Sequence, residues 1–139
     1  MHRRDEKFLF EIERDYDESL GIEFVEPTFD RLRKCTNNCS FCFINGMPSG
    51  LRRSLYVKDD DYRYSFLLGN FITLTNLSPE DWSRIGEQRL SPLFVSVHAT
   101  ETALRRRLLG NPSAPDILPQ LRRLAEMGIE VHTQLVLTP

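Results

Sequence analysis

The sequence predicts an α/β fold in which about four parallel strands alternate with helices, behind a short hairpin-like β segment. Two observations support this class. Apolar runs rich in β-branched and aromatic residues, such as 71–75 and 93–97, alternate with amphipathic stretches. Glycines follow the helix-like stretches at Gly69, Gly110 and Gly128, as at helix C-termini. A closed barrel of eight such units takes about 250 residues, so a chain of 139 residues predicts only part of a barrel.

Residues 1–27 are predicted to form a leading β segment and linker. Residues 8–12 alternate between apolar and polar side chains, as in a half-buried strand, and a second short strand is predicted at 22–25. The polar turn between them favours a hairpin. We place the boundary at Pro27 and assign residues 28–139 to the main domain.

The first half of the main domain holds two predicted strands and two predicted helices. A strand at 29–34 precedes a long loop that carries the cysteines, and a helix follows at 62–68. Residues 71–75 have the composition of a buried strand. A cap at Ser78, followed directly by proline, begins a helix that should end near Glu87.

The second half repeats this alternation. A strand at 93–97 is followed by a helix with Thr100 as its N-cap and Leu109 as its last residue. Another helix, at 117–127, carries one apolar stripe, and a strand at 129–137 follows it. Because the sequence stops at a proline just after this strand, we expect it to be the N-terminal portion of a longer, truncated core.

The composition indicates one soluble globular domain. The chain is 40% hydrophobic and 27% charged, and its net charge of -2 gives no overall basic field that would indicate nucleic acid or anionic membrane as a partner. The first residues lack the pattern of a signal peptide, and no apolar run is long enough to cross a bilayer. We therefore expect a cytoplasmic protein without a membrane partner.

Cys35, Cys39 and Cys42 form a CxxxCxxC pattern in a polar loop after a predicted strand. An odd number of closely spaced cysteines is unlike the disulfide framework of a secreted protein. Thiolates at this spacing can converge on one cluster. The alternative is three core cysteines on one stripe of a helix, but the intervening Thr, Asn and Ser residues are poor helix formers. The pattern therefore favours metal binding.

Ligand type alone does not identify the metal, because thiolates bind iron-sulfur clusters and zinc alike. A structural zinc site needs four protein ligands, and neither His98 nor His132 has a neighbouring ligand at the usual spacing. Three cysteines on a four-iron cluster leave one iron open to a small molecule, as in catalytic metal sites. The count favours an iron-sulfur cluster over zinc.

These residues resemble a known family. The CxxxCxxC pattern with an aromatic residue, Phe41, before the last cysteine resembles radical SAM enzymes. The stretches GIEF, FDRLRKCTNNCSFCFINGMPSGLRRSLYVKDDDYRYSFLLGNFITLTNL, LSPLFVSVHAT and HTQLVLTP resemble one subfamily, with an N-terminal PDZ-like domain and a C-terminal domain of unknown function, DUF512. On this resemblance, residues 1–27 would be the remnant of the PDZ-like region.

The resemblance implies a partial TIM-like barrel with a 4Fe-4S cluster on Cys35, Cys39 and Cys42. In such enzymes the open iron chelates S-adenosylmethionine. An electron from the reduced cluster, supplied by a donor such as flavodoxin or ferredoxin, then breaks a carbon-sulfur bond. The resulting 5'-deoxyadenosyl radical abstracts a hydrogen atom from the substrate. The resemblance does not supply the substrate, for which a small molecule, a peptide and an RNA base stay open.

The resemblance also implies residues that bind S-adenosylmethionine. Phe41 matches an aromatic residue that approaches the adenine. The Gly-Gly-Glu motif that the family often carries after its second strand is absent, and Thr73, Thr75 and Asn76 stand in its place. Asn76 is our predicted substitute. The alternative is that Asn76 only turns the chain ahead of Ser78.

Further candidates lie at the ends of the last two strands. Ser96 and His98 alternate with apolar residues and therefore face one side, near the C-terminal end where barrel enzymes place their sites. A functional and a structural role are equally open for His98. Gln134 matches a polar residue that relatives place against the ribose hydroxyls. His132 lies nearer the strand start, where a structural role is favoured.

Two runs of charged residues, one acidic and one basic, can be interpreted either as binding sites or as ordinary surface. Adjacent aspartates at 59–61 cannot all face one ion, so a helix N-cap and a solvated loop are favoured over a metal site. The arginines at 105–107, with Arg122 and Arg123, form either a basic patch for RNA or solvated helix faces.

The sequence thus predicts a radical SAM enzyme, or the N-terminal part of its catalytic core, which is inactive alone because missing strands leave apolar edges uncovered. The alternative is a non-catalytic binding module in which the cysteines and a histidine hold structural zinc, or a cluster serves only to stabilise the fold.

Overall fold

The computed structural model describes residues 2–3, 6–7, 9–13, 15–23, 25, 28 and 30–138. Its elements, in chain order, are β1 (His2–Arg3), β2 (Glu6–Lys7), a 3-10 turn (Arg53–Tyr56), α1 (Tyr62–Leu68), α2 (Pro79–Glu87), β3 (Leu93–Ser96), α3 (Thr102–Leu109), α4 (Ile117–Glu126) and β4 (Val131–Gln134). In the described part of the chain, no helix combines the length and apolar character needed to cross a membrane.

Parallel pairing organises the described main domain. β3 and β4 pair in parallel, with Leu93 opposite Val131 and Ser96 opposite Gln134. On the other side of β3, Ile72 forms an isolated parallel bridge, in which its N-H donates to the Phe94 carbonyl at 2.9 Å. Three chain segments thus run side by side in one direction, as βα units require. The larger partial barrel stays a prediction.

The core lies between β3 and the helices α2 and α4. Ile85 of α2, Leu93 and Val95 of β3, and Leu124 of α4 are fully buried. Each such side chain contributes about 1.5–3 kcal/mol when removed from water. This apolar layer holds the parallel segments against the helices and makes a rigid base for the loops at the strand ends.

Helix ends follow the predicted local signals closely. α1 and α2 have the predicted bounds, with Gly69 in the left-handed conformation after α1. Ser78 caps α2 with a reciprocal pair of bonds: its hydroxyl accepts from the Asp81 N-H at 3.2 Å, and the Asp81 carboxylate accepts from the Ser78 N-H at 3.0 Å. α4 has the predicted start and ends one residue earlier, at Glu126.

The predicted Thr100 cap is wrong. α3 begins at Thr102, and the side chain of Glu101 accepts the N-H groups of Ala103 and Leu104. A carboxylate reaches two unpaired donors of the first turn and also places negative charge at the positive end of the helix. These two effects favour Glu101 over Thr100 as the N-cap of α3.

The predicted strand at 29–34 is reduced to one bridge in the described residues. Phe29 lies outside them, and only Lys34 pairs, in an antiparallel bridge with Asp59. Around it, the Cys35 N-H donates to the Lys58 carbonyl at 2.9 Å. The segment is therefore paired with the chain that returns from the cysteine loop, a contact that local sequence does not encode.

The predicted strands at 71–75 and 129–137 are longer than the observed ones. In the first, only Ile72 bridges to β3; Leu74 has a φ of 58°, which interrupts an extended chain. The Thr73 N-H donates to a side chain, the Asp60 carboxylate, instead of a strand. The second is limited to Val131–Gln134.

The predicted hairpin at 8–26 does not form in the described residues. Phe8, Phe24, Glu26 and Pro27 lie outside them, and residues 9–13, 22–23 and 25 are in no strand. A short antiparallel pair of β1 and β2 lies upstream instead. Phe10 and Ile12, the described members of the apolar alternation, are exposed, whereas a half-buried strand needs a core face that covers such residues.

Candidate functional site

The cysteine loop docks onto the C-terminal end of α3. The Asn38 N-H donates to the Leu109 carbonyl at 2.9 Å, and the Ser40 N-H donates to the Leu108 carbonyl at 3.4 Å. These bonds satisfy carbonyls that the helix itself leaves without a partner. Gly110 permits the approach, because a Cβ there would lie 2.3 Å from the Asn38 carbonyl oxygen. The end of α3 thus determines where the loop lies.

Cys35, Cys39 and Cys42 are half-buried free thiols in this loop. Burial, followed by the charges of Cys35 and Cys42, raises the pKa of Cys39 to about 11. Burial, followed by the charge of Asp60, raises the pKa of Cys35. The charges of Cys35 and Cys42 thus add to burial in opposing ionisation of Cys39.

The loop supplies suitable donors, but they are not assembled as ligands. Among the described residues, no three Cys, His, Asp or Glu side chains are placed together to hold a metal ion. The donor chemistry nevertheless fits a cluster or a zinc ion, because a bound cation favours the thiolate form against the burial and the neighbouring charges that raise the pKa of Cys39. Metal binding at this loop would be coupled to thiol deprotonation and to local rearrangement.

Asn37 connects the cysteine loop to the segment before α2. Its side chain is 4% exposed, and its amide nitrogen lies 2.9 Å from the Thr73 hydroxyl, 3.0 Å from the Thr75 hydroxyl and 3.4 Å from the Cys35 sulfur. Its amide oxygen accepts from the Asn111 side chain at 2.7 Å. Sequence reasoning missed this residue, because nothing in the local pattern marks a buried asparagine.

The aspartate run is only partly as predicted. Asp61 is the N-cap of α1, as expected. The prediction of a solvated loop is wrong, because Asp60 and Asp61 are buried. Asp60 accepts from both the N-H and the hydroxyl of Thr73, each at 2.6 Å, and this pairing allows a carboxylate to remain inside.

Asn76 bridges two segments beside the first cysteine. Its amide nitrogen donates to the Asp60 carbonyl at 3.2 Å and to the Lys34 carbonyl at 3.4 Å. Its amide oxygen is buried and has no hydrogen-bond partner in the described structure. Because the nitrogen is occupied by two carbonyls, the oxygen is held in one orientation. Asn76 therefore keeps a free acceptor while it joins the two segments.

The structure brings Phe41, His98, Ser96 and Gln134 together at the ends of β3 and β4. The Phe41 and His98 rings meet edge to face, with centroids 4.6 Å apart. The His98 N-H donates to the Gln134 carbonyl at 3.2 Å, and the Ser96 hydroxyl donates to the Gln134 side-chain oxygen at 3.3 Å. His132, in contrast, stacks on Phe94, which is a packing role.

The imidazole of His98 is kept neutral by its surroundings. Burial, followed by the positive charge of Arg105, lowers the pKa of His98. Its Nδ1 accepts a hydrogen bond from the Val136 N-H at 3.3 Å, so the remaining ring proton belongs on Nε2. The ring beside Phe41 is therefore an uncharged aromatic surface near neutral pH.

Arg105 lies inside the molecule and is not part of a basic surface patch. It is 1% exposed and donates to the carbonyls of Thr73 at 2.8 Å, Ser96 at 3.3 Å and Val97 at 3.1 Å. It thereby links the network around Thr73 to the group at the end of β3. Arg106, Arg107, Arg122 and Arg123 remain exposed, and their predicted affinity for RNA stays a prediction.

The chain matches the family model described as "Radical SAM-like domain" over residues 14–139. No curated protein and no solved structure matches it. The matched residues include the cysteine loop, Asn76, and the group at the ends of β3 and β4 that contains Phe41, Ser96, His98 and Gln134.

Proposed function

Because this chain belongs to the radical SAM-like domain family, we propose that it is a radical SAM enzyme, or part of its catalytic core, that reductively cleaves S-adenosylmethionine. The observation that carries the proposal is the CxxxCxxC loop, in which Cys35, Cys39 and Cys42 are half-buried free thiols held against the end of α3. We further propose the subfamily with PDZ-like and DUF512 domains, and a cytoplasmic location, where thiols stay reduced.

Cys35, Cys39 and Cys42 would hold a 4Fe-4S cluster. When bound, such a cluster would supply the electron that cleaves S-adenosylmethionine. The remaining tasks belong to the protein, which must position the cofactor and exclude water and oxygen. We propose flavodoxin or ferredoxin as the electron donor, and we assign no substrate class.

Phe41 and His98 are proposed to form an aromatic wall for the adenine. Their rings are in direct contact, and burial keeps His98 neutral. A neutral imidazole suits this role because S-adenosylmethionine carries a positively charged sulfonium, which a charged ring would repel. Gln134, held by the Ser96 hydroxyl, is proposed to meet the ribose hydroxyls.

Asn76 is proposed to accept a hydrogen bond from the amino group of S-adenosylmethionine. The support is its unpartnered, oriented amide oxygen, which a charged amino group would satisfy. Thr75 would act with it by holding the neighbouring loop through Asn37. This arrangement takes the place of the Gly-Gly-Glu motif that the chain lacks.

Anaerobic reconstitution with iron and sulfide tests the proposal. We expect the wild-type chain to become brown and to bind iron and sulfide in equal amounts. Cys39→Ala should abolish loading, whereas Ser40→Ala, an exposed change in the same loop, should load like the wild type. Full loading of Cys39→Ala would contradict the ligand set. A colourless protein with tightly held zinc would instead support the binding-module alternative.

A further inference from the structure

Asn37 lies against the first cysteine in a fixed orientation. Its amide oxygen accepts from Asn111 at 2.7 Å, so the nitrogen is the end that faces the Cys35 sulfur, at 3.4 Å. This separation is usual for an N-H donor and a sulfur acceptor, which has a larger radius than oxygen. Because Asn37 is 4% exposed, its amide hydrogens are largely shielded from water.

The same amide nitrogen has competing acceptors. It offers two hydrogens to the Cys35 sulfur and to the hydroxyls of Thr73 and Thr75. The Thr73 hydroxyl donates its own proton to Asp60 at 2.6 Å, which leaves its lone pairs free to accept from Asn37. The strength of the hydrogen bond to the Cys35 sulfur therefore depends on how strongly the hydroxyls of Thr73 and Thr75 compete for the amide hydrogens of Asn37.

We propose that Asn37 is a positioning residue that donates a hydrogen bond to the Cys35 sulfur and raises the reduction potential of a cluster bound there. The inference rests on the proposed function. A hydrogen bond to a ligand sulfur withdraws negative charge from it, and the reduced cluster, which is more negative, gains more from this than the oxidised one. Thr75 acts in the opposite direction, because it competes for the amide hydrogens.

The test compares the midpoint potentials of reconstituted proteins by anaerobic titration followed by electron paramagnetic resonance. In Asn37→Ala, we expect reduction to become about tenfold less favourable, a shift of about 59 mV to more negative potential for one electron. Asn45→Ala is the matched control. It removes an exposed amide of the same loop that donates to Asn38 and not to a thiol, and its potential should equal that of the wild type.

Thr75→Val provides a second measurement that keeps Asn37 in place. It removes a competing acceptor and preserves the β-branched shape, so the potential should shift to a more positive value. This variant decides the question if Asn37→Ala fails to fold or to load. Resonance Raman spectra give an independent readout, since loss of the hydrogen bond in Asn37→Ala should move an iron-cysteine stretch to higher frequency.

The outcomes separate the two proposals. A wild-type protein that takes up no cluster overturns both the proposed function and this inference. A loaded wild type whose potential is unchanged in Asn37→Ala, or unchanged or lowered in Thr75→Val, overturns the role of Asn37 alone.

Discussion

At the scale of single residues, His98 combines an unusual backbone with a controlled charge. Its φ is 62°, in the left-handed region that few residues other than glycine adopt, although histidine is enriched there together with asparagine and aspartate. The structure compensates with the contact to Phe41 and the bond from Val136 to Nδ1. Protonation of the ring would remove the acceptor for the latter bond, so the neutral state and the local backbone support each other.

We predict that His98 titrates below the ordinary histidine value of 6.5, since burial and then Arg105 lower its pKa. A depressed histidine pKa adds stability that is complete above 6.5 and is lost as the pH falls through that value toward the folded-state pKa. NMR titration should therefore give a midpoint below 6.5.

The corresponding stability effect is tested with His98→Asn, which tolerates the same backbone region. Between about pH 7.5 and about pH 5.5, denaturant unfolding should show a larger loss of stability for the wild type than for the variant. A midpoint above 6.5, or identical pH dependence of the two proteins, would count against the neutral imidazole.

Residues that contact only distant parts of the chain could not be predicted from the sequence. The cysteines were visible because their spacing and type carry the chemical signal. Asn37 and Asp60, in contrast, are ordinary polar residues whose importance comes from burial and from bonds to Thr73. Arg105 stood in a run of arginines, and only its packing shows that it points inward.

At the scale of elements, local signals predicted the helices better than the strands. Caps such as Ser78 and stops such as Gly69 act within one turn, so the sequence around them is sufficient. Strands need partners from elsewhere in the chain. Residues 71–75 look like a full strand, but the side chain of Asp60 takes the Thr73 N-H and only Ile72 pairs.

The end of α3 gives a prediction at this scale. Gly110 and Gly128 both have positive φ, at 56° and 73°, but a Cβ at Gly128 would meet nothing within 4 Å. Gly128→Ala should cost only the left-handed strain, about 1–2 kcal/mol. Gly110→Ala should cost a further ~1–3 kcal/mol, because the new methyl group overlaps the Asn38 carbonyl.

Denaturant unfolding of the two alanine variants measures this difference. Because Gly110→Ala pushes the cysteine loop away from α3, the thiols should also react faster with an alkylating reagent than in the wild type, whereas Gly128→Ala should leave that rate unchanged. Equal stabilities and equal alkylation rates would show that the loop does not depend on the end of α3.

At the scale of the whole molecule, Arg105 joins the parts that form the site. From α3 it reaches the segment at Thr73, the end of β3 at Ser96, and the loop at Pro115, whose carbonyl accepts from it at 3.3 Å. Burial lowers the pKa of this guanidinium, while the charges of Asp60, Asp116 and Cys39 oppose the effect. A charged guanidinium inside the fold is stable only because backbone carbonyls surround it.

Replacing Arg105 should therefore destabilise the entire domain. In Arg105→Met the apolar stem is retained, but the buried Thr73 carbonyl loses its donor and the Ser96 and Val97 carbonyls each lose one. We expect a loss of about 3–5 kcal/mol in the free energy of unfolding. Arg105→Lys should lie between this variant and the wild type, since an ammonium keeps the charge but cannot reach all the carbonyls in one plane. Arg107→Met, an exposed change on the same helix, should alter stability by no more than about 0.5 kcal/mol. If denaturant unfolding showed Arg105→Met to be as stable as Arg107→Met, the carbonyls would have found other partners and Arg105 would not connect the segments around the site.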